Sequence, residues 1–292
     1  MTNPWIAPPE SPLRGDGLAV VAGAMKAGTT SLFSYLASHP HVCPSTPKEP
    51  DFFLERHERR RRVEDYHELF EFDPARHRVA LDGSTSYTKA PHKPGVPERI
   101  RASGLTPRFI YLVRDPFARI ESQFNYQHTA RADGRLDADT PMTNDKFVNI
   151  SDYASQLEPY RKRFGRERIL VLDFDDLKKD PATTTRRSLS FIGLTPLPAG
   201  PEFEAKNVTT PSSKLKVVLQ RNPVTRAVAG LLPGPVKEAA NLAATRVFGA
   251  AKARRMTDEE RREIRRRLAP GMTVLAQTYG VDVQRWGFDG AK

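Results

Sequence analysis

Apolar residues fall along this chain in short unbroken runs, set between stretches with helical spacing. Four such runs are Leu18–Gly23 (LAVVAG), Arg78–Ser84 (RVALDGS), Arg108–Asp115 (RFIYLVRD) and Arg168–Leu177 (RILVLDFDDL). Runs that are continuously β-branched and aliphatic, rather than alternating, predict strands covered on both faces. A helix is predicted at about Thr29–Ser38, where Leu32, Tyr35 and Leu36 share one apolar face, and another at about Ser151–Phe164. Asp180-Pro181 opens a further helix, with Asp as N-cap and Pro in the first turn, and Gly193 stops it. Strands separated by helices predict an α/β fold, a central parallel β-sheet flanked by helices. Residues 1–16, with Pro4, Pro8, Pro9 and Pro12, read as a loose arm. A single domain is expected over 17–292, with the α/β core in 17–195 and a mainly helical part in 196–292. Arg131–Asn149, rich in Asp, Thr, Asn and Gly, reads as a long loop.

Composition narrows the class. A chain of 292 residues with one cysteine, Cys43, has no internal disulfide and fits a reducing compartment. No secretory pattern is present. The longest apolar candidate, Val224–Ala251, is interrupted by Pro233, Pro235, Lys237, Glu238 and Arg246, so it does not read as a membrane span. It is expected to pack on the sheet, cover a cleft or make a peripheral membrane contact. These features predict a cytoplasmic protein. The net charge of +11 suits nucleic acid, anionic lipid or a small polyanion. Much of the excess lies in Arg59–Arg62 and Lys252–Arg267, and the second also holds Asp258, Glu259, Glu260 and Glu263, which can pair along a helix. Without zinc-ligand spacing, an RNA-binding aromatic signature or an internal repeat, no nucleic-acid partner is expected.

The chemistry concentrates at two strand-to-helix corners. In VVAGAMKAGTTSLFSYL (Val20–Leu36), strand, glycine turn and helix N-terminus follow in order, which makes an anion pocket. Gly23 and Gly28 stand in the G-x-x-x-x-G frame, but the lysine that would follow the second glycine is inside the loop, at Lys26, and Thr29 takes its place. A nucleoside triphosphatase wants lysine at 29 and a strand-end acid for magnesium. Asp82, Asp173 and Asp175 are only nominal candidates for that acid. A sulfuryl group carries less charge and needs no metal clamp. In IYLVRDPFARIESQFNY (Ile110–Tyr126), the strand ends at Arg114, Asp115 caps and Pro116 opens the helix. Ser122 lies two turns on, so an arginine fork and a hydroxyl can share one phosphate.

The loop Lys26-Ala27-Gly28-Thr29-Thr30-Ser31 together with Arg114 and Ser122 resembles the sulfotransferase family that uses 3′-phosphoadenosine-5′-phosphosulfate (PAPS). SHPHVCPSTPKEPDFF (Ser38–Phe53), DGSTSYTKAPH (Asp82–His92), DFDDLKKDP (Asp173–Pro181) and VDVQRWGF (Val281–Phe288) are similar to segments of its heparan-sulfate-type and bacterial carbohydrate members. The resemblance implies a P-loop-like sulfotransferase fold. The first loop would hold the 5′-phosphosulfate of PAPS, and Arg114 with Ser122 the 3′-phosphate. Lys26 would stabilise the leaving oxygen and Glu49 would be the general base, with His92 and His128 as rivals, while Asp51, Tyr87, His92 and Tyr126 would line the acceptor side. Heparan-sulfate-type members often carry a lysine where this chain has Gly83, so Lys89 or Lys48 is a candidate replacement. Lys206–Lys216 offers hydroxyls and lysines that suit the 3′-phosphate. The expected activity is transfer of the sulfuryl group to a hydroxyl, or less readily an amine, of a carbohydrate, glycolipid or metabolite, without a metal. A magnesium-dependent kinase and a basic module for nucleic acid or membranes are the alternatives.

Overall fold

The computed structural model describes residues 6–7, 10–55, 63–130, 140–196 and 253–288. The Arg59–Arg62 run and the segments Lys206–Lys216 and Val224–Ala251 lie outside the described residues. Five strands form one all-parallel sheet: β1 (Leu18–Gly23), β2 (Val42–Pro44), β3 (Val79–Asp82), β4 (Arg108–Val113) and β5 (Ile169–Asp173). Their order is β2-β3-β1-β4-β5, so β1 is central and the chain runs first to one side of it and then to the other. In an open α/β sheet the crevice at such a reversal, beyond the carboxyl ends of the strands, is where ligands bind. Val20 pairs with Asp82 and Val113 with Asp173, so the loops leaving β1, β3, β4 and β5 share one edge.

The strands are buried because helices cover both faces, as the unbroken apolar runs require. These helices are α1 (Thr29–Ala37), α2 (Val63–His67), α3 (Val96–Ala102), α4 (Pro116–Ala130), α5 (Asp145–Ser151), α6 (Tyr153–Phe164), α7 (Phe174–Lys179), α8 (Pro181–Phe191) and α9 (Asp258–Tyr279). Leu32, Tyr35 and Leu36 are buried as their spacing predicts. Each such leucine contributes about 1.5–3 kcal/mol by leaving water. The α8 boundaries follow the local signals: the Asp180 side chain accepts from the Thr183 amide at 2.9 Å, and Pro181 is the first residue. In α9, Ile264, Leu268, Met272 and Leu275 recur at helical spacing and are buried, packing the helix against α5 and α6.

Three local expectations change, and one strand is additional to them. The run Arg168–Leu177 is a strand only to Asp173, whose carboxylate caps α7 by accepting from the Asp175 amide at 2.7 Å. Part of the expected loop Arg131–Asn149 is helix α5, started by the Asn144 side chain, which accepts from the Lys146 amide at 3.0 Å. The edge strand β2 is too short, and too marked by proline, to show a periodicity. The described part of the expected N-terminal arm is tied down: Leu13 is buried in the core, and the Ala7 amide donates to the Ser103 carbonyl at 2.9 Å.

Candidate active site

The loop after β1 is folded tightly. The Ala27 amide donates to the Ala24 carbonyl at 3.1 Å, and the Ser31 amide to the Gly28 carbonyl at 3.1 Å, which starts α1. Gly28 has φ +83°, in the left-handed region, and a Cβ there would stand 2.7 Å from the Phe174 ring. Glycine meets both demands. Lys26 also lies in the left-handed region, at φ 70°. A non-glycine residue held there is strained, and such strain gathers at ligand clamps. The hold comes from β4: Arg114 Nη1 donates to the Lys26 carbonyl at 2.9 Å, while its guanidinium lies 4.8 Å from the Phe174 ring centre. Thus the two predicted corners meet in space.

The Lys26 ammonium stands 4.2 Å from the centre of the Tyr126 ring. Ser122 is four residues before Tyr126 on α4, so it lies on the helix face turned toward Lys26. Burial, and secondarily the Arg114 charge, lowers the pKa of Lys26. An ammonium less well hydrated than in water is poised to gain from an incoming anion. Ala27 and Thr29 are buried, whereas Thr30 and Ser31 are partly exposed at the start of α1, where helix N–H groups and the dipole favour negative charge.

Glu49 reaches this site from a segment laid across the end of β3. The Ser45 amide donates to the Leu81 carbonyl at 2.9 Å, the Gly83 amide to the Lys48 carbonyl at 3.0 Å, and the Asp51 amide to Ser84 Oγ at 2.9 Å. Glu49 is exposed; its Oε1 lies 2.8 Å from Lys48 Nζ, and its Oε2 accepts from Thr85 Oγ1 at 3.1 Å. The Lys89 ammonium donates to Ser86 Oγ at 3.2 Å; burial lowers its pKa, Glu49 and Asp51 oppose that shift, and Arg119 adds to it. Asp51 is partly exposed, with its backbone at φ 52°. The Gly83 position has no room for any side chain, since a Cβ would stand 2.8 Å from the Phe33 ring and 2.9 Å from the Lys48 carbonyl.

One predicted residue falls elsewhere. Tyr87 belongs to the core rather than the acceptor side: it is 2% exposed, and its hydroxyl donates to Asp82 Oδ2 at 3.0 Å. His92 is exposed on a turn before α3, and His128 lies on the last turn of α4.

Arg119 escaped the sequence reading. It is fully buried on α4, where Nε donates to Ser151 Oγ at 2.7 Å, Nη1 to Gln123 Oε1 at 2.7 Å and to the Met25 carbonyl at 3.4 Å, and Nη2 to the Phe147 carbonyl at 2.8 Å. Burial, with a smaller contribution from Arg114, pulls its pKa down. It ties the loop, through Met25, to α4 and α5, and adds positive potential below the site. The signal was present: Arg119, Gln123 and Gln127 repeat every four residues, a polar stripe that all turns inward.

Arg114 and Arg119 thus hold the loop that carries Lys26, and Lys48 reaches from Thr30 of that loop to Glu49, an arrangement for a polyanion beside a carboxylate. Among the described residues no cluster of histidine, cysteine and acids is arranged to hold a metal ion, and no helix is long and apolar enough to cross a membrane.

The chain is 28% identical over 193 residues to heparan sulfate glucosamine 3-O-sulfotransferase 3A1 of Mus musculus, covering 60% of this chain and 45% of that protein. It is 25% identical over 201 residues to bifunctional heparan sulfate N-deacetylase/N-sulfotransferase 3 of Homo sapiens, covering 61% of this chain and 22% of that protein. The chain therefore spans less than half the length of either relative. A solved sulfotransferase from Alicyclobacillus acidocaldarius superposes with a TM-score of 0.63 at 20% identity, over 93% of this chain and 98% of that one, a likeness of fold. The family described as "Sulfotransferase domain" matches residues 16–209, more than half of the sequence and all five strands, and to that family the chain belongs.

Proposed function

We propose that this protein transfers the sulfuryl group of PAPS to a hydroxyl of a carbohydrate-type acceptor and releases adenosine 3′,5′-bisphosphate. The observation that carries the reading is the hydrogen bond from Arg114 to the Lys26 carbonyl, which brings the corners after β1 and β4 together at one edge of the sheet. The loop 26–31 would take the phosphosulfate, and Arg114 with Ser122 the 3′-phosphate. The acceptor oxygen attacks sulfur in line with the bridging oxygen; the O–S bond forms as the S–O bond to phosphate breaks. The acceptor's proton goes to the Glu49 carboxylate, and the charge left on the departing phosphate oxygen is met by the Lys26 ammonium. Asp51 and Tyr126 would stand on the acceptor side. The family relatives named for heparan sulfate favour a sugar over other alcohols.

The test is calorimetric titration with adenosine 3′,5′-bisphosphate in the presence of chelator, followed by turnover with labelled donor. Binding without metal is expected, to be weakened strongly in Arg114→Ala. Lys26→Met should keep bisphosphate affinity within a few fold and lose about 10²–10³ in turnover, as removal of one oxyanion donor does. No bisphosphate binding, or full turnover in Lys26→Met, would overturn the reading.

A further inference from the structure

We propose that Lys48 is a further catalytic residue of this reaction: its ammonium leaves Glu49 to hold the sulfonate oxygens of bound donor, and so frees the carboxylate for the acceptor's proton. The proposal rests on the function proposed above and adds a residue and an order of events to it.

The geometry is that of a tethered cation between two sites. Lys48 Nζ lies 2.8 Å from Glu49 Oε1 and 3.4 Å from Thr30 Oγ1, so one ammonium touches both the carboxylate and the anion loop. The backbone beneath it is pinned: its carbonyl accepts from the Gly83 amide at 3.0 Å and from Ser45 Oγ at 3.1 Å. The ammonium itself is not pinned, because it swings on a four-carbon stem with three donors. Its side chain is 24% exposed and lies against Phe33, whose ring centre is 5.7 Å from Nζ. That ring and the Lys48 carbonyl exclude any side chain from position 83, so the strand end itself offers no cation here.

Before donor arrives both Glu49 oxygens are engaged, one by the Lys48 ammonium and the other by the Thr85 hydroxyl. A sulfonate arriving beside Thr30 presents three oxygens bearing one negative charge within the swing of the same ammonium. The cation then serves the transferring group, and Glu49 keeps only the Thr85 hydroxyl. During transfer the S–O bond to phosphate breaks and the bond to the acceptor oxygen forms; the proton passes to Glu49, and Lys48 remains on the sulfonate throughout. An ordinary surface ion pair between neighbouring residues would have no such effect on turnover.

The experiment compares wild type, Lys48→Met, Lys48→Arg and the exposed-lysine control Lys93→Met. Release of 3′,5′-bisphosphate from PAPS is followed with a heparan-type oligosaccharide, or with water alone, as acceptor, and bisphosphate affinity is measured by calorimetry. Lys48→Met should lose about 10²-fold in kcat, with bisphosphate affinity and melting temperature unchanged because the bisphosphate has no sulfonate to hold. Lys48→Arg should recover most of the loss, and Lys93→Met should match wild type. Unchanged kcat in Lys48→Met, or equal losses in kcat and bisphosphate affinity, overturns the proposal while leaving the proposed function standing. Failure of wild type to bind bisphosphate overturns both.

Discussion

At the carboxyl end of β3, Asp82 is fully buried. Its Oδ2 accepts from the hydroxyls of Tyr66 at 2.9 Å and Tyr87 at 3.0 Å, and its Oδ1 from the Ser84 amide at 2.7 Å. Burial outweighs these bonds and raises its pKa from 3.8 to about 6. Below about pH 4 the group is neutral in the folded and unfolded chain alike and costs folding nothing. Between about pH 4 and 6 the unfolded chain gives up the proton first, so stability falls as pH rises; above that the loss is constant. A shift of roughly two units at 1.36 kcal/mol each amounts to about 3 kcal/mol. Asp82→Asn removes the titration while Oδ1 can keep the Ser84 amide and the tyrosine hydroxyls rotate to accept from Nδ2. Urea unfolding of both proteins at about pH 4, 5, 6 and 7 isolates the effect, because every other titrating group cancels in the difference. Wild type should lose about 3 kcal/mol relative to the variant across that range. A difference that does not change with pH would refute the reasoning. The consequence reaches the active site, since Ser84 Oγ holds the Asp51 amide beside Glu49.

Other substitutions test other links. Glu49→Gln should lower turnover by about 10²–10⁴ with an unchanged melting temperature, because the carboxylate is exposed and its ion pair is a weak surface one; full turnover in a steady-state assay would move the base elsewhere. Gly28→Ala places a Cβ 2.7 Å from Phe174 on a backbone with φ +83°. It should cost about 2–4 kcal/mol in urea unfolding from left-handed strain and overpacking together, and weaken bisphosphate binding in calorimetry. Thr257→Ala breaks the capping box of α9, in which Glu260's amide donates to Thr257 Oγ1 at 3.1 Å and Thr257's amide to Glu260 Oε2 at 3.0 Å. A loss of about 1 kcal/mol in unfolding is expected, with turnover unaffected.

The α/β architecture was legible because a strand buried on both faces must be apolar at successive positions, and four such runs stand out; the boundaries of β1 and α8 follow from local chemistry in the same way. The runs misled where a cap broke them. Arg168–Leu177 stays apolar enough to read as one strand, yet Asp173 can satisfy the first amides of a helix, and α7 begins there. Helix α5 hid in a polar stretch because its stability comes from Phe147, Val148 and Ile150 packing into the core, not from a long periodic pattern. The candidate site was half legible. Lys26 and Arg114 were visible as strand-end residues at glycine and proline turns, whereas the approach of the Tyr126 ring to the Lys26 ammonium depends on how α4 packs.

What one dimension determined here is local: which segments shun water on both faces, where turns need glycine, and where an anion would find amides and cations at a helix start. Tertiary structure decided what depends on distance between segments. It put Tyr87 in the core because Asp82 needed donors once buried, it turned Arg119 inward where the Met25 and Phe147 carbonyls and the Gln123 and Ser151 side chains could satisfy a guanidinium, and it laid Lys48 against the first loop with Glu49 beside it. A side chain's type is written in the chain, but its role depends on which distant groups share its dielectric surroundings, and only the packed fold brings those groups together.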